Sequence, residues 1–511
     1  MRGRGPTAAA RPRRLPAAAT PLRLVLLGWT LLSVAWIFGN PPFAGPDERS
    51  HYLRALQVGG GDLITERRPD LARGENERQI AWNRQFTYEA RVPGGLGPPD
   101  HECWTSRSET DAGCIDDFRP PPAAFTTVMP VGNYQPLPYL LPGVAARAAD
   151  SPASANRLAR IVNALLTLGL LWIALRMAWS RDAGPVSLLG VVVAVTPMAI
   201  FCGSMLNGSG PEIAAAVAFG CGLLRLRRDP SCARSPAVWA GIGAAGAVLA
   251  LTRTLGPAYL VLVAAAALAL GGHRPAWEFV RGRGGAALGA LAAIAAAIGL
   301  NRIWERAHGA EATTGFANLR AVLDEAAGEW WRASSELIGK FGYLEYRLPA
   351  IAYVAWFAAG FALIAAALVA ARRRERIALA AAVAAAAVLP MLMWIYAIRQ
   401  TGFGLQGRYV LPALVAVPLV AGELLRAHAA ALGERLRSAL VAAIPLTAAA
   451  VHLIAFLWAA RRAAVGTDGP LVFLGDSGWS PPLGWLPWLA LALLGSAALA
   501  AGFRRTGPET A

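Results

Sequence analysis

The chain has 511 residues, 55% of them apolar and 16% charged, with a mean hydropathy of +0.42 and a net charge of +16. A soluble chain of this length would divide into several domains; here the apolar residues gather instead into runs of about 16 to 22, the length that crosses a bilayer. The positive charge is carried by arginines spread through short connections, with Lys340 the only lysine, and that spread excludes a nucleic-acid-binding face or tail.

The chain opens on Arg2, Arg4, Arg11, Arg13 and Arg14, followed by an apolar run over 22–39. This resembles a signal peptide, but Asn40-Pro41-Pro42 stands where a small-residue cleavage site would be, so the run reads as an uncleaved first span. Further runs fall near 157–179, 184–206, 211–225, 236–252, 255–271, 284–301, 350–371, 376–397, 408–425, 438–460 and 484–503. They predict an all-α polytopic membrane protein with about 12 transmembrane helices. The spans form one membrane domain over 22–505, between a basic N-terminal tail (1–21) and a short C-terminal tail (506–511). The Ala- and Gly-rich runs at 284–299 and 377–387 favour close helix packing in lipid.

Arginines mark alternate connections: Arg176 and Arg181; Arg225, Arg227, Arg228 and Arg234; Arg274, Arg281 and Arg283; Arg372, Arg373, Arg374 and Arg376; Arg426, Arg435 and Arg437; Arg504 and Arg505. The positive-inside bias assigns these, and both termini, to the cytoplasm of a multi-pass plasma-membrane protein. Two long segments, 40–155 and 302–349, then lie outside. Their Trp82, Trp104, Asn133, Tyr134, Trp330 and Trp331 argue against disorder. Within the first, Pro136-Leu-Pro-Tyr-Leu-Leu-Pro142 reads as a short helix in the interface. Cys103 and Cys114 bracket a loop on that oxidising side, and a disulfide between them contributes about 2–3 kcal/mol to its order. Cys202 and Cys221, inside apolar runs, read as core residues.

Four groups could carry chemistry. In Pro41-Pro-Phe-Ala-Gly-Pro-Asp-Glu-Arg-Ser-His51, a helix starting near Pro46 puts Asp47 and His51, and Glu48 and His51, on one face. Two carboxylates and an imidazole at a membrane surface suit proton transfer, or a hard divalent ion such as Mg or Mn; the plainer alternative is a helix start with acids favoured by the dipole. Gln406-Gly407-Arg408-Tyr409 places an arginine at the outer end of a span, where its fork suits phosphate or carboxylate, unless it snorkels to the interface. Arg253, between two apolar runs, is a second anion contact or a plain loop residue, and Lys340 is a third cation. Glu212, after Asn207-Gly-Ser-Gly-Pro211, reads as a helix-start acid. No Walker loop, nucleophile elbow or metalloprotease helix occurs.

Asn40-Pro-Pro-Phe-Ala-Gly-Pro-Asp-Glu-Arg-Ser-His51, Asn207-Gly-Ser-Gly-Pro-Glu-Ile-Ala214, Gly339-Lys-Phe-Gly-Tyr-Leu-Glu-Tyr-Arg-Leu-Pro349 and Gln406-Gly-Arg-Tyr-Val-Leu-Pro412 together resemble the signatures of a bacterial family of predicted polytopic membrane proteins of unknown function, grouped with the GT-C glycosyltransferases. The likeness runs from about residue 22 to residue 460. It implies a GT-C-like bundle with an acidic motif in its first outer loop. The implied activity is hexosyl or pentosyl transfer from a polyprenyl-phosphate-linked sugar to a cell-envelope glycan, lipid or protein. Asp47 would be the base, with Glu48 its partner or a metal ligand and His51 tuning it. Arg408, with Gln406, Tyr409, Lys340 and Arg253, would take the donor. The alternatives are a transporter or flippase of a lipid-linked envelope precursor, or a non-catalytic assembly scaffold.

Overall fold

The computed structural model describes residues 20–99, 103–105, 107–309, 319–401, 406–475 and 477–504. The expected basic tail, save its last two residues, and the tail from Arg505 onward lie outside the described residues.

Helix α1 (Thr20–Gly39) is followed by α2 (Glu48–Gly59), α3 (Glu77–Phe86), strands β1 (Tyr88–Val92) and β2 (Phe125–Met129), and α4 (Leu137–Ala146). Then come α5 (Pro152–Ala178), α6 (Leu189–Ala194), α7 (Pro197–Ser204), α8 (Ser209–Arg228), α9 (Pro236–Thr252), α10 (Gly256–Leu268), α11 (Arg274–Arg281), α12 (Gly285–His308) and α13 (Leu319–Ile338). The short strands β3 (Lys340–Phe341) and β4 (Tyr346–Arg347) precede α14 (Ala350–Ala370), α15 (Arg373–Thr401), α16 (Gly407–Leu414), α17 (Ala416–Ala427), α18 (Glu434–Val465) and α19 (Leu486–Ala501).

Every apolar run of the sequence falls on a helix or on a broken pair of helices. Among the described residues, seven helices are long and apolar enough to cross a membrane, or eight if the pair Gly184–Ala194 and Pro197–Ser204, bent by 68°, is one span. The bend has a local cause. Thr196 leaves the helix in extended geometry, its hydroxyl caps Ala199 N–H, and Pro197 can start a helix but not continue one. Helices α9, α10 and α19 are shorter than the long spans.

The bundle packs α1 against α19 and α5, α5 against α8, and α9 against both α8 and α12. An aromatic knot of Trp36, Phe201, Phe341 and Phe456, with centroids 5.0–5.6 Å apart, pins the β3–β4 turn into it. Leu288, Leu291, Ile303, Ile351, Val354, Phe361 and Ile377 face outward, as lipid contact requires. At one end of the bundle, arginines in the last turns of helices are neutralised: Arg227 of α8 reaches Glu375 at 2.6 Å, and Arg426 of α17 reaches Glu423 at 2.8 Å.

The long first connection is more ordered than a loop. Strands β1 and β2 pair antiparallel, and Phe43, Tyr52, Leu56, Tyr88, Met129, Tyr139 and Leu206 form a second core beside the main one. The Cys103–Cys114 disulfide closes a stretch held against α18 by Arg462. That side chain donates to Thr110 O, to Trp104 O (2.9 Å) and to Arg107 O (3.0 Å), and lies 4.9 Å from the Trp104 ring. The second segment, expected as a loop over 302–349, is largely helical: α12 runs on to His308 and α13 fills Leu319–Ile338.

Helix α4 is the expected short helix. It exposes Leu137, Leu140, Leu141 and Val144, an i, i+3, i+4, i+7 apolar stripe, and turns Tyr139 and Gly143 inward. It meets α2 backbone to backbone. A Cβ on Gly143 would lie 2.0 Å from Ala55 O, and one on Gly59 would lie 2.2 Å from the Gly143 carbonyl carbon. Gly143→Ala is therefore expected to force the helices apart and to destabilise the protein by about 1–3 kcal/mol in thermal melts. Wild-type melting would show that the crossing tolerates a methyl group.

Candidate functional site

The motif that follows α1 folds around a buried ion pair. Arg160 of α5 meets Glu48 side-on, with Nε 2.7 Å from Oε1 and Nη2 2.6 Å from Oε2. The same guanidinium donates to Ile37 O (3.1 Å), Asn40 O (3.3 Å) and Pro41 O (2.8 Å), taking up carbonyls at the end of α1. Glu48 also accepts from Leu206 N at Oε1 and Gly45 N at Oε2, each at 2.8 Å. Burial opposes its charge, but Arg160 and these N–H groups hold its carboxyl below the usual range.

Glu48 is thus a structural staple with both oxygens doubly engaged, and has no lone pair left for a metal ion. Among the described residues, no three His, Cys, Asp or Glu side chains converge on a cation site. The Asp47, Glu48 and His51 set does not fit the divalent ion that the sequence allowed, and no step is drawn through one.

With Glu48 locked inward, Asp47 takes the left-handed conformation at φ 55° and caps the start of α2 by its position alone. That backbone costs a non-glycine residue about 1–3 kcal/mol and re-aims the side chain. The helix begins at Glu48, two residues later than Pro46 suggested. Asp47 Oδ2 accepts from Arg408 Nη2 at 2.6 Å, so positions 361 apart in the chain meet. Arg408 also donates to Pro46 O (3.3 Å) and contacts the Tyr409 hydroxyl (3.0 Å). The Arg408 side chain is fully buried while that of Asp47 keeps 44% of its surface. Burial works against the Asp47 charge, and Arg408, then His51, outweigh it, so the carboxyl stays below its usual range. Because the group is half open to solvent, that burial penalty is partial.

His51 lies one turn along α2, 1% exposed. Its Nδ1 is 2.7 Å from the Tyr139 hydroxyl, and the two rings stack. Burial first, and the Arg253 charge second, push its pKa down to about 3, with Asp47 opposing, so His51 is neutral at neutral pH. It is placed to brace α4, while Asp47 faces the opening.

Beside the ion pair is a cavity of about 140 Å³ lined by Asn133, Tyr134, Gln135, Glu212, Arg253, Tyr259 and Tyr409, among others. Neither Asp47 nor Arg408 lines it; Tyr409 stands between, with one face to the cavity and its hydroxyl on Arg408. Four elements clamp its wall. Asn301 of α12 donates to Ala250 O and Arg253 O (2.7 and 2.9 Å). Thr254 donates to Glu305 (2.9 Å), Trp304 to Asn133 O (2.7 Å) and the Tyr259 hydroxyl to Tyr409 O. Arg54 of α2 holds Tyr134 O at 2.7 Å. Arg253 lies over the Tyr409 ring at 4.5 Å, and its Nε and Nη2 have no hydrogen-bond partner among the described residues.

The other expected donor contacts are placed differently. Lys340 pairs with Glu336 at 3.8 Å, and Glu336 in turn accepts from Gly407 N at 2.7 Å, so the lysine supports the start of α16 from behind. Gln406 caps α16 by its backbone, and its amide oxygen is buried without a partner among the described residues. Arg160, Tyr139 and Gln135 are central here and were not singled out in the sequence. Arg160 carried one signal, an arginine at the start of an apolar run rather than beyond its end.

Fold and site define an all-α, multi-pass membrane protein with a polar, partly open site at the end of the bundle that carries its long connections. The chain belongs to the DUF2142 family of predicted membrane proteins, whose model matches residues 30–417 and so includes all four sequence signatures. No curated protein and no solved structure matches it.

Glu48→Gln leaves Arg160 as an uncompensated buried charge and is expected to cost about 3–5 kcal/mol of stability. Asp47→Asn also takes the partner from a buried guanidinium, but at a position 44% open to solvent, so it should cost clearly less than Glu48→Gln. Equal melting of both variants would contradict the division between staple and site.

Proposed function

We propose that this protein is a membrane glycosyltransferase of inverting type. It transfers a hexosyl or pentosyl group from a polyprenyl-phosphate-linked sugar to a cell-envelope acceptor at the non-cytoplasmic face. The observation that carries the reading is the half-open Asp47 carboxylate set against Arg408, with the Arg253 guanidinium, whose Nε and Nη2 make no hydrogen bond among the described residues, across Tyr409. The alternation of arginines supports about twelve spans with Asp47 outside, and the resemblance of the four sequence signatures supports a GT-C-like bundle.

In this reading the acceptor hydroxyl oxygen bonds to the anomeric carbon as the bond from that carbon to the phosphate oxygen breaks. The bonding pair leaves with the phosphate, and the acceptor proton passes to Asp47. Arg408 is committed to Asp47, so it orients the carboxylate and keeps it ionised. The cation for the departing phosphate is Arg253. A carboxylate held this low is a weak base, which suits a late proton transfer, after the acceptor oxygen has begun to bond and acidify. The exposed stripe Leu137, Leu140, Leu141 and Val144 supports entry of a lipid carrier beside the cavity. No metal ion is invoked.

A flippase remains the second reading because one span is broken by 68°. Transporters carry such breaks in paired halves, and among the described residues there is one. Flux of the lipid-linked sugar in proteoliposomes without covalent transfer would favour it.

Asp47→Asn should lower transfer by about 10²–10⁴-fold, measured with polyprenyl-phosphate-linked sugar and envelope acceptor in proteoliposomes, with insertion intact. Full activity would remove the base assignment. In wild type the acid limb of activity should lie below pH 3.8, the ordinary aspartate value. Removing the cation in Arg408→Gln leaves burial dominant, so the Asp47 pKa and that limb move up; an unmoved limb would show that Arg408 does not set the charge of Asp47.

A further inference from the structure

The cavity beside the ion pair holds more polar chemistry than a phosphate would use. Glu212, in the first turn of α8, has an exposure of 0%, and neither carboxylate oxygen has a hydrogen bond among the described residues. Its nearest cation is Arg253 Nε at 4.0 Å. Gln135, which also lines the cavity and is 4% exposed, has a hydrogen bond at neither its amide oxygen nor its amide nitrogen among the described residues. A helix-start acid would sit in solvent or bond to backbone N–H groups. Glu212 does neither.

Sealing unpaired polar groups away from bulk water is expensive, so a fold that holds two of them in a void holds them for something that enters. At about 30 Å³ per molecule, the void takes four or five waters, which a ligand must replace with equivalent hydrogen bonds. An acyl chain cannot do this, since it would leave Glu212 and Gln135 bare. A lone anion meets repulsion from Glu212, and a metal ion meets Arg253. A carboxyl group accepts from hydroxyls, a primary amide both donates and accepts, and the side chains of Tyr134, Tyr259 and Tyr409 complete the lining. Arg253 adds a place for one negative group. The complementary ligand is a polyhydroxylated ring with a single anionic substituent.

We infer that Glu212 and Gln135 read the hydroxyls of the sugar ring while Arg253 holds its phosphate, so that this cavity is the donor's sugar subsite. Naming the ring as the donor's rests on the transferase reading; recognition of a glycosyl phosphate does not require transfer. Glu212 is then a specificity residue that touches substrate but moves no proton.

The test uses the full chain in lipid nanodiscs and isothermal calorimetry with glucosyl, mannosyl, galactosyl and arabinofuranosyl phosphate against inorganic phosphate. At least one glycosyl phosphate should bind about tenfold or more tightly than inorganic phosphate, because its hydroxyls fill the open hydrogen-bonding positions of Glu212 and Gln135. Glu212→Gln, and separately Gln135→Leu, should erase most of that advantage by weakening the glycosyl phosphate, while inorganic phosphate binds no more weakly than to wild type. Should Glu212→Gln fail to fold, Gln135→Leu decides alone. The inference is overturned if no glycosyl phosphate outbinds phosphate in wild type, or if the advantage survives in every folded variant of the two. A binding advantage in a wild-type protein that transfers no sugar would sink the transferase and leave the subsite standing.

Discussion

The rest of the site depends on Arg160 and Glu48. One guanidinium inside the bundle gathers the last carbonyls of α1, the turn at Pro41 and a carboxylate, and that carboxylate gathers Gly45 and Leu206. Two charges out of water are tolerable only when every lone pair and proton is used, and here they are nearly all used. The consequence is directional. With Glu48 drawn inward, the residue before it takes the left-handed conformation, and Asp47 meets Arg408.

A second layer of constraint fixes the wall facing that acid. Asn301, Trp304 and Glu305 extend α12 beyond the bundle and hold the loops of Arg253 and Asn133 through side-chain hydrogen bonds. Tyr409, next to Arg408 in sequence, carries its ring under Arg253 and its hydroxyl against Arg408. The ion pair and the cavity therefore share one residue and cannot shift independently. Glu336, with Lys340 behind it, holds the start of α16 and so fixes the position of Arg408 against Asp47.

Much of this could be read from the residues, and what could not has physical causes. Apolar runs announce spans because lipid imposes both length and composition, so each run coincides with helix; length separates the seven long spans from α9 and α19, and the charged ends of α8 set that 20-residue helix apart from them. The meeting of Asp47 with Arg408 was legible because a cation at an outer span end requires an anion. Spacing put Glu48 and His51 on the face of Asp47 but could not say which partner each would take, and distant residues, Arg160 and Tyr139, decided that. Glu212 read as a helix-start acid because its first-turn position is local, whereas its burial depends on the packing of α9 and of the Arg253 loop. The strands β1 and β2 escaped notice because five-residue strands in a polar connection lack a long alternating pattern.

The central claim is that the Asp47 end of the bundle receives the phosphate of a lipid carrier. Its most direct measurement is a cryo-electron microscopy map of the protein in nanodiscs supplied with polyprenyl phosphate. The account predicts phosphate density within hydrogen-bonding reach of the Arg253 guanidinium, with the chain leaving along the exposed leucines of α4. Density instead among Arg181, Arg437 and Arg504, which line the large cavity at the other arginine-rich site, with none near Arg253, would contradict it.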